Sequence, residues 1–235
     1  MLRICTLCAR GGSKGVKNKN LRLINNKPLL AYSLYHAKAS KLFSAIAVSS
    51  DSEAILELAH QYGASHLIRR PAELATDQAA KIPAIQHCVA AVEKEIGRTC
   101  DTVVDLDATS PLRFVTDIQG SVDLLEKENA TNVITASPAR RSPYFNLIEI
   151  DENGAPHLSK KMETPVVRRQ DAPASYDMNA SIYVWRRNSL FEQTKLFLPS
   201  SRVFLMPEER SLDIDSEFDF ELVSHILANR RDFEF

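Results

Sequence analysis

The sequence predicts an α/β fold with a mostly parallel central sheet, formed by a single domain that covers residues 1–235. Two observations support this prediction. Short apolar runs alternate with stretches of helical periodicity along most of the chain. The composition, 44% hydrophobic and 25% charged, is that of a globular protein long enough to bury one sizeable core.

The elements follow from these patterns in chain order. The predicted strands are the short apolar runs at residues 2–8, 45–49, 66–68, 102–106, 132–136, 181–185 and 203–206. The predicted helices cover residues 28–38, 53–62, 84–96, 116–128 and 217–228. Pro28 is expected in a first helical turn, where proline is tolerated, and Asp51 or Ser52 is expected to cap the second helix.

One proline-rich stretch, between residues 137 and 179, interrupts this alternation. Two strand-like runs, at residues 145–150 and 165–168, lie around a turn that is expected at residues 153–154. We therefore expect residues 138–178 to form a small β-containing excursion within the domain.

Positive charge is concentrated near the amino terminus. The first 50 residues hold nine basic side chains and no acidic one, although the whole chain has 29 basic and 30 acidic residues and a net charge of −1. Such an asymmetry indicates a local anionic partner. The segment has neither aromatic interleaving nor a known nucleic-acid-binding module, so we do not expect that partner to be nucleic acid.

Glycines and basic residues coincide directly after the first predicted strand. Residues 10–20, called the glycine loop below, contain three glycines, four basic residues and no acid. Glycine N–H groups can approach an anion closely, and ligands of open α/β sheets bind beyond the carboxyl ends of the strands. The spacing is neither that of a Walker A loop nor G-x-G-x-x-G. The loop predicts a polyphosphate site, and the alternative is a solvated basic loop.

Two aspartates near the other end of the chain, Asp213 and Asp215, lie in residues 211–216, called the aspartate segment below. In extended backbone, side chains two residues apart share one face. Two converging carboxylates form a hard-oxygen site suited to Mg²⁺. Helix capping by Asp215 or Ser216 is the alternative explanation. A phosphate-binding loop strengthens the metal interpretation, because transfer from a nucleoside triphosphate needs a cation at the phosphate oxygens.

Other signals limit the class of protein. Cys5 and Cys8 form a lone C-x-x-C whose members would face opposite sides of a strand, so we expect neither zinc nor redox chemistry there. Four cysteines in a chain of this length fit a reducing compartment. No stretch approaches the roughly 18 apolar residues of a membrane helix, and basic residues interrupt the only signal-peptide candidate. We expect a cytoplasmic protein that does not engage a membrane.

Four sequence blocks, taken in chain order, identify a protein family more specifically than any one motif. They are residues 9–20, 70–77 (RPAELATD), 109–113 (TSPLR) and 211–215 (SLDID). Together they closely resemble the signature blocks of the acylneuraminate cytidylyltransferases, the CMP-sialic acid synthetases, and the similarity spans essentially the whole chain.

The resemblance implies a three-layer, Rossmann-like nucleotidyltransferase fold. It also implies Mg²⁺-dependent attack by the anomeric 2-hydroxyl of a nonulosonic acid on the α-phosphate of CTP, with release of pyrophosphate. A homodimer is implied too, in which the excursion at residues 138–178 reaches over the partner's sugar pocket. Because the chain has no hydrolase-like domain after residue 235, we expect transferase activity alone.

The resemblance also assigns roles to individual residues. The implied catalytic residues are Arg10, Lys19, Asp213 and Asp215, of which the two aspartates hold the metal. The implied nucleotide-binding residues are Ala9, Arg10, Gly11, Gly12, Ser13, Lys14, Lys19, Asn20 and Arg70. The implied sugar-binding residues are Asp107, Thr109, Ser110, Phe145, Arg169, Gln170 and Asn179.

Two departures from the family pattern bear on the sugar. Asp107 stands where sialic acid enzymes have glutamine, and an ionised aspartate only accepts hydrogen bonds. Phe145 replaces a lysine, which makes the pocket better suited to methyl-bearing groups such as an extra acetamido group. With the opening at residues 4–10, these changes resemble the bacterial branch that activates N,N'-diacetyllegionaminic acid, the substrate we favour.

Several alternatives stay open at this point. The sugar could instead be N-acetylneuraminate, pseudaminate or 3-deoxy-octulosonate. Asp107 could help to bind a metal or cap a turn. From a different functional class, the chain could be a nucleotide-binding module without turnover, although such a module would have no need of the aspartate pair.

Overall fold

The computed structural model describes residues 1–13, 15–164, 166–193 and 195–230. The strands in these ranges are β1 (Arg3–Cys8), β2 (Leu23–Ile24), β3 (Lys27–Pro28), β4 (Ala45–Ser50), β5 (His66–Arg69), β6 (Thr102–Leu106), β7 (Asn132–Pro138), β8 (Ile148–Ile150), β9 (Pro156–Leu158), β10 (Tyr176–Arg186) and β11 (Arg202–Leu205). The α-helices are α1 (Leu29–Ser40), α2 (Glu53–Gln61), α3 (Lys81–Ile96), α4 (Val115–Lys127), α5 (Arg187–Glu192) and α6 (Glu217–Asn229). None of these helices combines the length and the apolar character that a bilayer crossing requires.

Seven strands form the central sheet in the order β11-β7-β10-β6-β1-β4-β5. All neighbouring strands are parallel except β10, which is antiparallel to both β6 and β7. Thr6 of β1 pairs with Asp105 of β6, and Cys8 pairs with Ser49 of β4, so the carboxyl ends of these three strands lie level. The predicted mostly parallel sheet is confirmed.

The two faces of the sheet are covered by different helices. Cys5 and Leu7 of β1 belong to an apolar cluster that includes buried residues of α1, α2 and α4. Ile4 belongs to a second cluster, which includes buried residues of α3 and α5. Because alternate residues of a strand face opposite sides of a sheet, this partition produces a helix–sheet–helix sandwich. The expected three-layer architecture is confirmed.

Some element boundaries differ from the sequence prediction. Helix α3 begins at Lys81 rather than at residue 84, because Pro83 lies in its first turn, where the missing N–H costs no helical hydrogen bond. Pro28 is the N-cap residue of α1 rather than part of its first turn. Ser52 is the N-cap residue of α2, but its side chain makes no capping hydrogen bond.

The excursion contains a hairpin whose second strand was misplaced in the sequence prediction. Strand β8 pairs antiparallel with β9, with Ile148 opposite Leu158, whereas the described residues 166–168 form no strand. Asp151 Oδ1 accepts hydrogen bonds from the N–H groups of Asn153, at 2.9 Å, and Ala155, at 2.8 Å. These bonds stabilise a tight turn. The second strand therefore begins directly after the turn, at Pro156, and not at residue 165 as predicted.

Candidate active site

A polar cavity of about 250 Å³ lies beyond the carboxyl ends of β1 and β6. It is lined by three separate parts of the chain: the end of β1 with the glycine loop, the turn after β6, and the aspartate segment. The lining residues are Cys8, Ala9, Arg10, Ser13, Gly15, Lys19, Asn20, Asp107, Ala108, Thr109 and Asp215. The structure thus brings together the two ends of the sequence, as the phosphate and metal hypotheses require.

The glycine loop and the aspartate segment touch directly. The Lys19 ammonium donates to the carbonyl oxygen of Ile214 and lies 3.2 Å from Asp215 Oδ1. Val16 and Ile214 are fully buried members of one apolar cluster, which anchors both segments. Ile214 N also donates to Thr109 O at 3.0 Å, which ties the aspartate segment to the turn after β6. The walls of the cavity are therefore held by both backbone and packing contacts.

The two aspartates differ in exposure. Asp213 is half-buried, and burial, followed by the charge of Asp215, raises the pKa of its carboxyl. The Asp215 side chain is 77% exposed. Ser216, not Asp215, caps α6, since Ser216 Oγ accepts from Asp219 N at 3.2 Å and Ser216 N donates to the Asp219 carboxylate at 2.8 Å. Capping by Ser216, one form of the alternative, is therefore observed, whereas Asp213 and Asp215 take no part in the cap through their side chains.

The aspartate pair fits a bound Mg²⁺ in its chemistry. The mutual repulsion that contributes to the raised pKa of Asp213 is the kind of interaction that a divalent cation relieves. Within the described ranges, no group of three or more His, Cys, Asp or Glu residues could hold a metal ion. Mg²⁺ commonly binds through one or two carboxylates and completes its shell with phosphate oxygens and water. Two carboxylates beside the glycine loop fit such a site.

Carboxylates from other segments occupy the anion-binding groups of the glycine loop. Arg10 Nη1 lies 2.6 Å from Asp77 Oδ1, and Gly11 N donates to Asp51 Oδ1 at 2.9 Å. Asn20 is buried and donates to the carbonyl oxygen of Arg10 at 3.2 Å, while its own Oδ1 lacks a hydrogen-bond partner among the described residues. The loop is thus shaped to bind negative charge. Lys14 lies outside the described residues.

Arg70 is buried against the end of β4 rather than in the polar cavity. Its Nε donates to Ser49 Oγ at 3.1 Å, and its Nη2 donates to Ser49 O at 2.7 Å. Arg70 is not among the residues that line the polar cavity. Its assignment as a nucleotide contact stays a prediction, and in this structure it anchors the strand next to β1.

Asp107 is held by a lysine that sequence reasoning missed. Lys81 Nζ lies 2.8 Å from Asp107 Oδ2 and 3.0 Å from Asp105 Oδ2, and it sits 4.7 Å from the centre of the Tyr183 ring. Asp107 Oδ1 accepts from the N–H of Thr109 at 3.0 Å and from its hydroxyl at 2.9 Å. Burial alone would raise the pKa of Asp107, but Lys81 and Thr109 hold it well below its usual range. Asp107 is therefore an ionised acceptor.

A buried arginine fixes the backbone beneath this carboxylate. Arg113 donates to Ser181 Oγ at 2.9 Å, to Ser33 Oγ at 2.8 Å and to the carbonyl oxygen of Asp107. Burial lowers the pKa of its guanidinium to about 10. Arg113 is the last residue of the TSPLR block, so the sequence motif already included it. Only the structure shows that it supports the backbone of Asp107.

The predicted sugar residues fall into two groups. Thr109 lines the polar cavity, whereas Ser110 is buried and its hydroxyl has no hydrogen-bond partner in the described part of the chain. The second group, Phe145, Arg169 and Gln170, lies on the excursion, outside the lining of the polar cavity. Arg169 Nη2 donates to Ala139 O at 2.8 Å, within the excursion itself.

Asn179 makes contacts within the protein through its whole side-chain amide, and its assignment as a sugar contact stays a prediction. Its Oδ1 accepts from Thr135 Oγ1 at 2.6 Å and from Ser181 N at 3.2 Å. Its Nδ2 donates to Ser211 Oγ at 2.9 Å and to the sulfur of Met206 at 3.5 Å. These four contacts use both acceptor and both donor positions of the amide. Asn179 therefore ties β10 and β7 to the start of the aspartate segment.

A second cavity, of about 400 Å³, adjoins the first at the Lys81–Asp107 pair. Lys81 lines this second cavity, and Asp107 lines the polar one. The lining residues are Ala80, Lys81, Ile82, Pro83, Ile85, Gln86, Tyr183, Trp185 and Leu196. This apolar cavity, which no sequence motif indicated, lies between the start of α3 and the face of β10.

Comparisons with known proteins identify the family of this chain. The family model described as cytidylyltransferase matches residues 4–230. The chain is 44% identical to "CMP-N,N'-diacetyllegionaminic acid synthase" of Campylobacter jejuni subsp. jejuni over 96% of this chain and 94% of that protein. It is 43% identical to "Post-translational flagellin modification protein B" of Campylobacter coli over 97% of this chain and 95% of that protein.

A solved structure shares the fold. It is that of CMP:2-keto-3-deoxy-manno-octonic acid synthetase complexed with CTP, which superposes with a TM-score of 0.71 over 97% of this chain and 99% of that chain, at 14% identity. At this identity the likeness concerns the fold alone. The family model covers nearly the whole chain, and two relatives exceed 40% identity over nearly their full lengths. The chain therefore belongs to the cytidylyltransferase family.

Proposed function

We propose that this enzyme transfers CMP from CTP to the anomeric 2-hydroxyl of a nonulosonic acid and releases pyrophosphate, with N,N'-diacetyllegionaminic acid as the favoured sugar. The observation that carries the proposal is the convergence of the glycine loop and the aspartate segment on one polar cavity, where Lys19 contacts Ile214 and Asp215. The relative at 44% identity that is named for this sugar supports the choice of substrate.

In the proposed complex the glycine loop holds the triphosphate. Its N–H groups and the cationic side chains of Arg10 and Lys19 face the phosphate oxygens, and Lys14 assists. The residues proposed to contact the nucleotide are Ala9, Arg10, Gly11, Gly12, Ser13, Lys14, Lys19, Asn20 and Arg70. To bind phosphate, Arg10 must exchange its contact with Asp77, and the N–H of Gly11 must exchange its hydrogen bond to Asp51.

Asp213 and Asp215 would hold Mg²⁺, which supplies neutralisation of the phosphate oxygens whose charge grows during transfer. The chain's own contribution is to keep the two carboxylates in place. Lys19 and Thr109 fix the backbone of Ile214 between them, and Asn179 fixes Ser211 ahead of them.

Asp107 faces the reacting groups as a charged acceptor. Because its pKa is held well below the usual range, it does not serve as a proton acceptor near neutral pH. We propose instead that the Asp107 carboxylate and Thr109 orient hydroxyl groups of the sugar. Ser110 and Asn179 are also proposed to contact the sugar, for which Asn179 would exchange one of the internal hydrogen bonds of its amide.

We further propose a homodimer that is formed through the excursion at residues 138–178. Strand β8 leaves Ile148 and Ile150 57% and 69% exposed, an apolar surface that a second copy could cover. Phe145, Arg169 and Gln170 lie on the same excursion, so in this arrangement they would act at the sugar site of the second copy. The Arg169 guanidinium is suited to the carboxylate of the sugar.

A cytoplasmic location completes the proposal. CTP is a cytoplasmic nucleotide, and the four cysteines of the chain are free thiols, as expected in a reducing compartment.

The decisive experiment is a screen of pyrophosphate release from CTP. N-acetylneuraminate, N,N'-diacetyllegionaminate, pseudaminate and 3-deoxy-octulosonate are tested one at a time with Mg²⁺, and each product is identified by mass spectrometry. We expect N,N'-diacetyllegionaminate to have the highest kcat/KM. Turnover of the octulosonate alone would contradict the nonulosonic acid assignment. Tight CTP binding without turnover of any of the four sugars would favour a nucleotide-binding module.

A further inference from the structure

Lys81 occupies the boundary between the two cavities, and the function proposed above leaves it without a role. It is the first residue of α3, and its ammonium lies 2.8 Å from Asp107, which lines the polar cavity. Lys81 itself lines the apolar cavity. A group bound in the apolar cavity beside Lys81 therefore lies next to the polar cavity.

The walls of the apolar cavity are formed mainly by aliphatic and aromatic side chains. Tyr183 and Trp185 of β10 stack with ring centroids 5.4 Å apart and an interplanar angle of 14°. Besides Lys81, the polar groups of the lining residues are the Tyr183 hydroxyl, the Trp185 indole N–H and the Gln86 amide, whose nitrogen already donates to Leu190 O at 2.7 Å. Such a surface suits an aliphatic substituent. It offers few partners for the several donors and acceptors at the edge of a cytosine base.

The charges around Lys81 restrict what its ammonium can bind. An ammonium has three N–H donors. Lys81 donates one of them to Asp107 at 2.8 Å and lies 3.0 Å from Asp105 Oδ2 in an ion pair, so at most two donors face these carboxylates. One positive charge faces two carboxylates, so the local net charge is negative and a further anion, such as the carboxylate of the sugar, would be repelled. A neutral carbonyl oxygen can accept the third N–H without that penalty.

We infer that Lys81 and the apolar cavity form a subsite for an N-acyl group of the acceptor sugar. In this arrangement the Lys81 ammonium donates to the amide carbonyl oxygen, and the acyl methyl group packs against Tyr183 and Trp185. A diacetamido sugar meets both requirements, since each acetamido group combines a neutral acceptor with a methyl group. The inference rests on the proposed function, because it assumes a nonulosonic acid as the acceptor.

The test uses the full-length enzyme with CTP, Mg²⁺ and three versions of one nonulosonic acid. These carry an acetamido group, a propanamido group or a hydroxyl group at the same carbon atom. The quantities measured are kcat/KM for each sugar and KM for CTP. Wild-type enzyme is expected to prefer acetamido over hydroxyl at least tenfold, since the loss of one apolar group from a pocket costs about 10- to 200-fold.

Two variants separate the parts of the subsite. Lys81→Met keeps the length of the side chain but removes the ammonium, and we expect it to reduce the acetamido-to-hydroxyl preference to threefold or less. Ala80→Leu narrows the mouth of the cavity at an exposed residue, and we expect it to lower the propanamido-to-acetamido ratio about tenfold, with KM for CTP unchanged. Lys81→Arg, which keeps the charge, should retain part of the acetamido preference.

The outcomes distinguish the inference from the proposed function. Wild-type turnover combined with unchanged acyl ratios in Lys81→Met and Ala80→Leu would overturn the subsite alone. If Lys81→Met does not fold, Ala80→Leu decides, because it alters neither the ion pairs nor the core. Absence of CTP-dependent turnover in the wild type with every version of the sugar would overturn both.

Discussion

A β-carbon on Gly15 would lie 2.0 Å from the carbonyl oxygen of Asp215, so the two residues are in direct backbone contact. The contact joins the glycine loop to the aspartate segment, although nearly the whole chain separates them in sequence. The adjacent residues Val16 and Ile214 are buried in the same apolar cluster and hold the contact in place. The close approach of the glycine loop to the aspartate segment therefore depends on the absence of a side chain at position 15.

We expect Gly15→Ala to lower kcat/KM for CTP on the order of 100-fold, because the added methyl group must displace backbone rather than a flexible side chain. Gly12→Ala is the steric comparison, since a β-carbon there meets no atom within 4 Å. Steady-state kinetics and thermal melting of both variants provide the measurement. An equal decrease of kcat/KM in the two variants would show that the contact between Gly15 and Asp215 does not determine activity.

Asp213→Asn is expected to lower pyrophosphate release by roughly 100-fold or more, because the removal of one ligand charge weakens the cation that neutralises the phosphates. Asp123→Asn, an exposed aspartate on α4, is the matched control and should keep wild-type activity. Chelation of divalent ions should abolish pyrophosphate release by the wild-type enzyme, and added Mg²⁺ should restore it. Undiminished turnover in Asp213→Asn would refute the metal assignment.

The buried pair Arg210–Asp117 anchors the aspartate segment to α4. Arg210 donates to both Asp117 oxygens, at 2.9 and 3.0 Å, and the Asp117 side chain is only 2% exposed. We expect Asp117→Asn to lower the free energy of unfolding by about 3 kcal/mol, because it leaves a partly buried guanidinium unpaired, and to raise the Mg²⁺ concentration required for half-maximal rate.

The control for that pair is Glu128→Gln, which removes the exposed partner of Arg202 and should cost less than about 1 kcal/mol. Denaturant titrations and Mg²⁺ titrations of both variants test the prediction. A loss of stability with an unchanged Mg²⁺ requirement would mean that the pair supports the fold but not the site.

Asp77→Asn should lower KM for CTP by up to about fivefold. Asp77 competes with phosphate for the Arg10 guanidinium, and a partly exposed ion pair of this kind contributes about 0.2–1 kcal/mol. Asp171→Asn removes a comparable exposed pair with Arg168 on the excursion and should leave KM for CTP unchanged. A higher KM for CTP in Asp77→Asn would indicate that Asp77 helps to position Arg10 for the nucleotide.

Ile150→Lys should convert the proposed dimer to a monomer in size-exclusion chromatography with light scattering, since it places a charge on the apolar surface of the hairpin. Phe218→Lys, at a residue of α6 that is 72% exposed, is the matched control and should stay dimeric. If Phe145, Arg169 and Gln170 act across the interface, Ile150→Lys should also raise KM for the sugar. A wild-type monomer that is fully active would exclude this arrangement.

Local sequence signals were sufficient for most of the fold. The strands of the parallel sheet are apolar runs, and the helices that cover them have helical periodicity, so the residues involved could be recognised without their neighbours. The hairpin of the excursion was predicted only in part. Apolar residues near position 165 resemble a strand, whereas the turn that returns the chain at once depends on two hydrogen bonds to Asp151.

The parts of the candidate site that lie in sequence motifs could be predicted from the residue types of those motifs. The glycine loop and the aspartate pair could be recognised because glycine N–H groups, basic side chains and paired carboxylates have the same affinities in any fold. Lys81 could not be recognised, because from the sequence it is one lysine among many. Its importance arises only when α3 places it beside Asp105 and Asp107.

The sequence by itself determined which chemical groups this protein possesses and the order in which they occur. The tertiary structure decided which of those groups meet. Packing of Val16 and Ile214 into one cluster brings Gly15 against Asp215, and hydrogen bonding engages Asn179 fully within the protein. Contacts between distant residues depend on the three-dimensional packing of the whole chain, which no local pattern encodes.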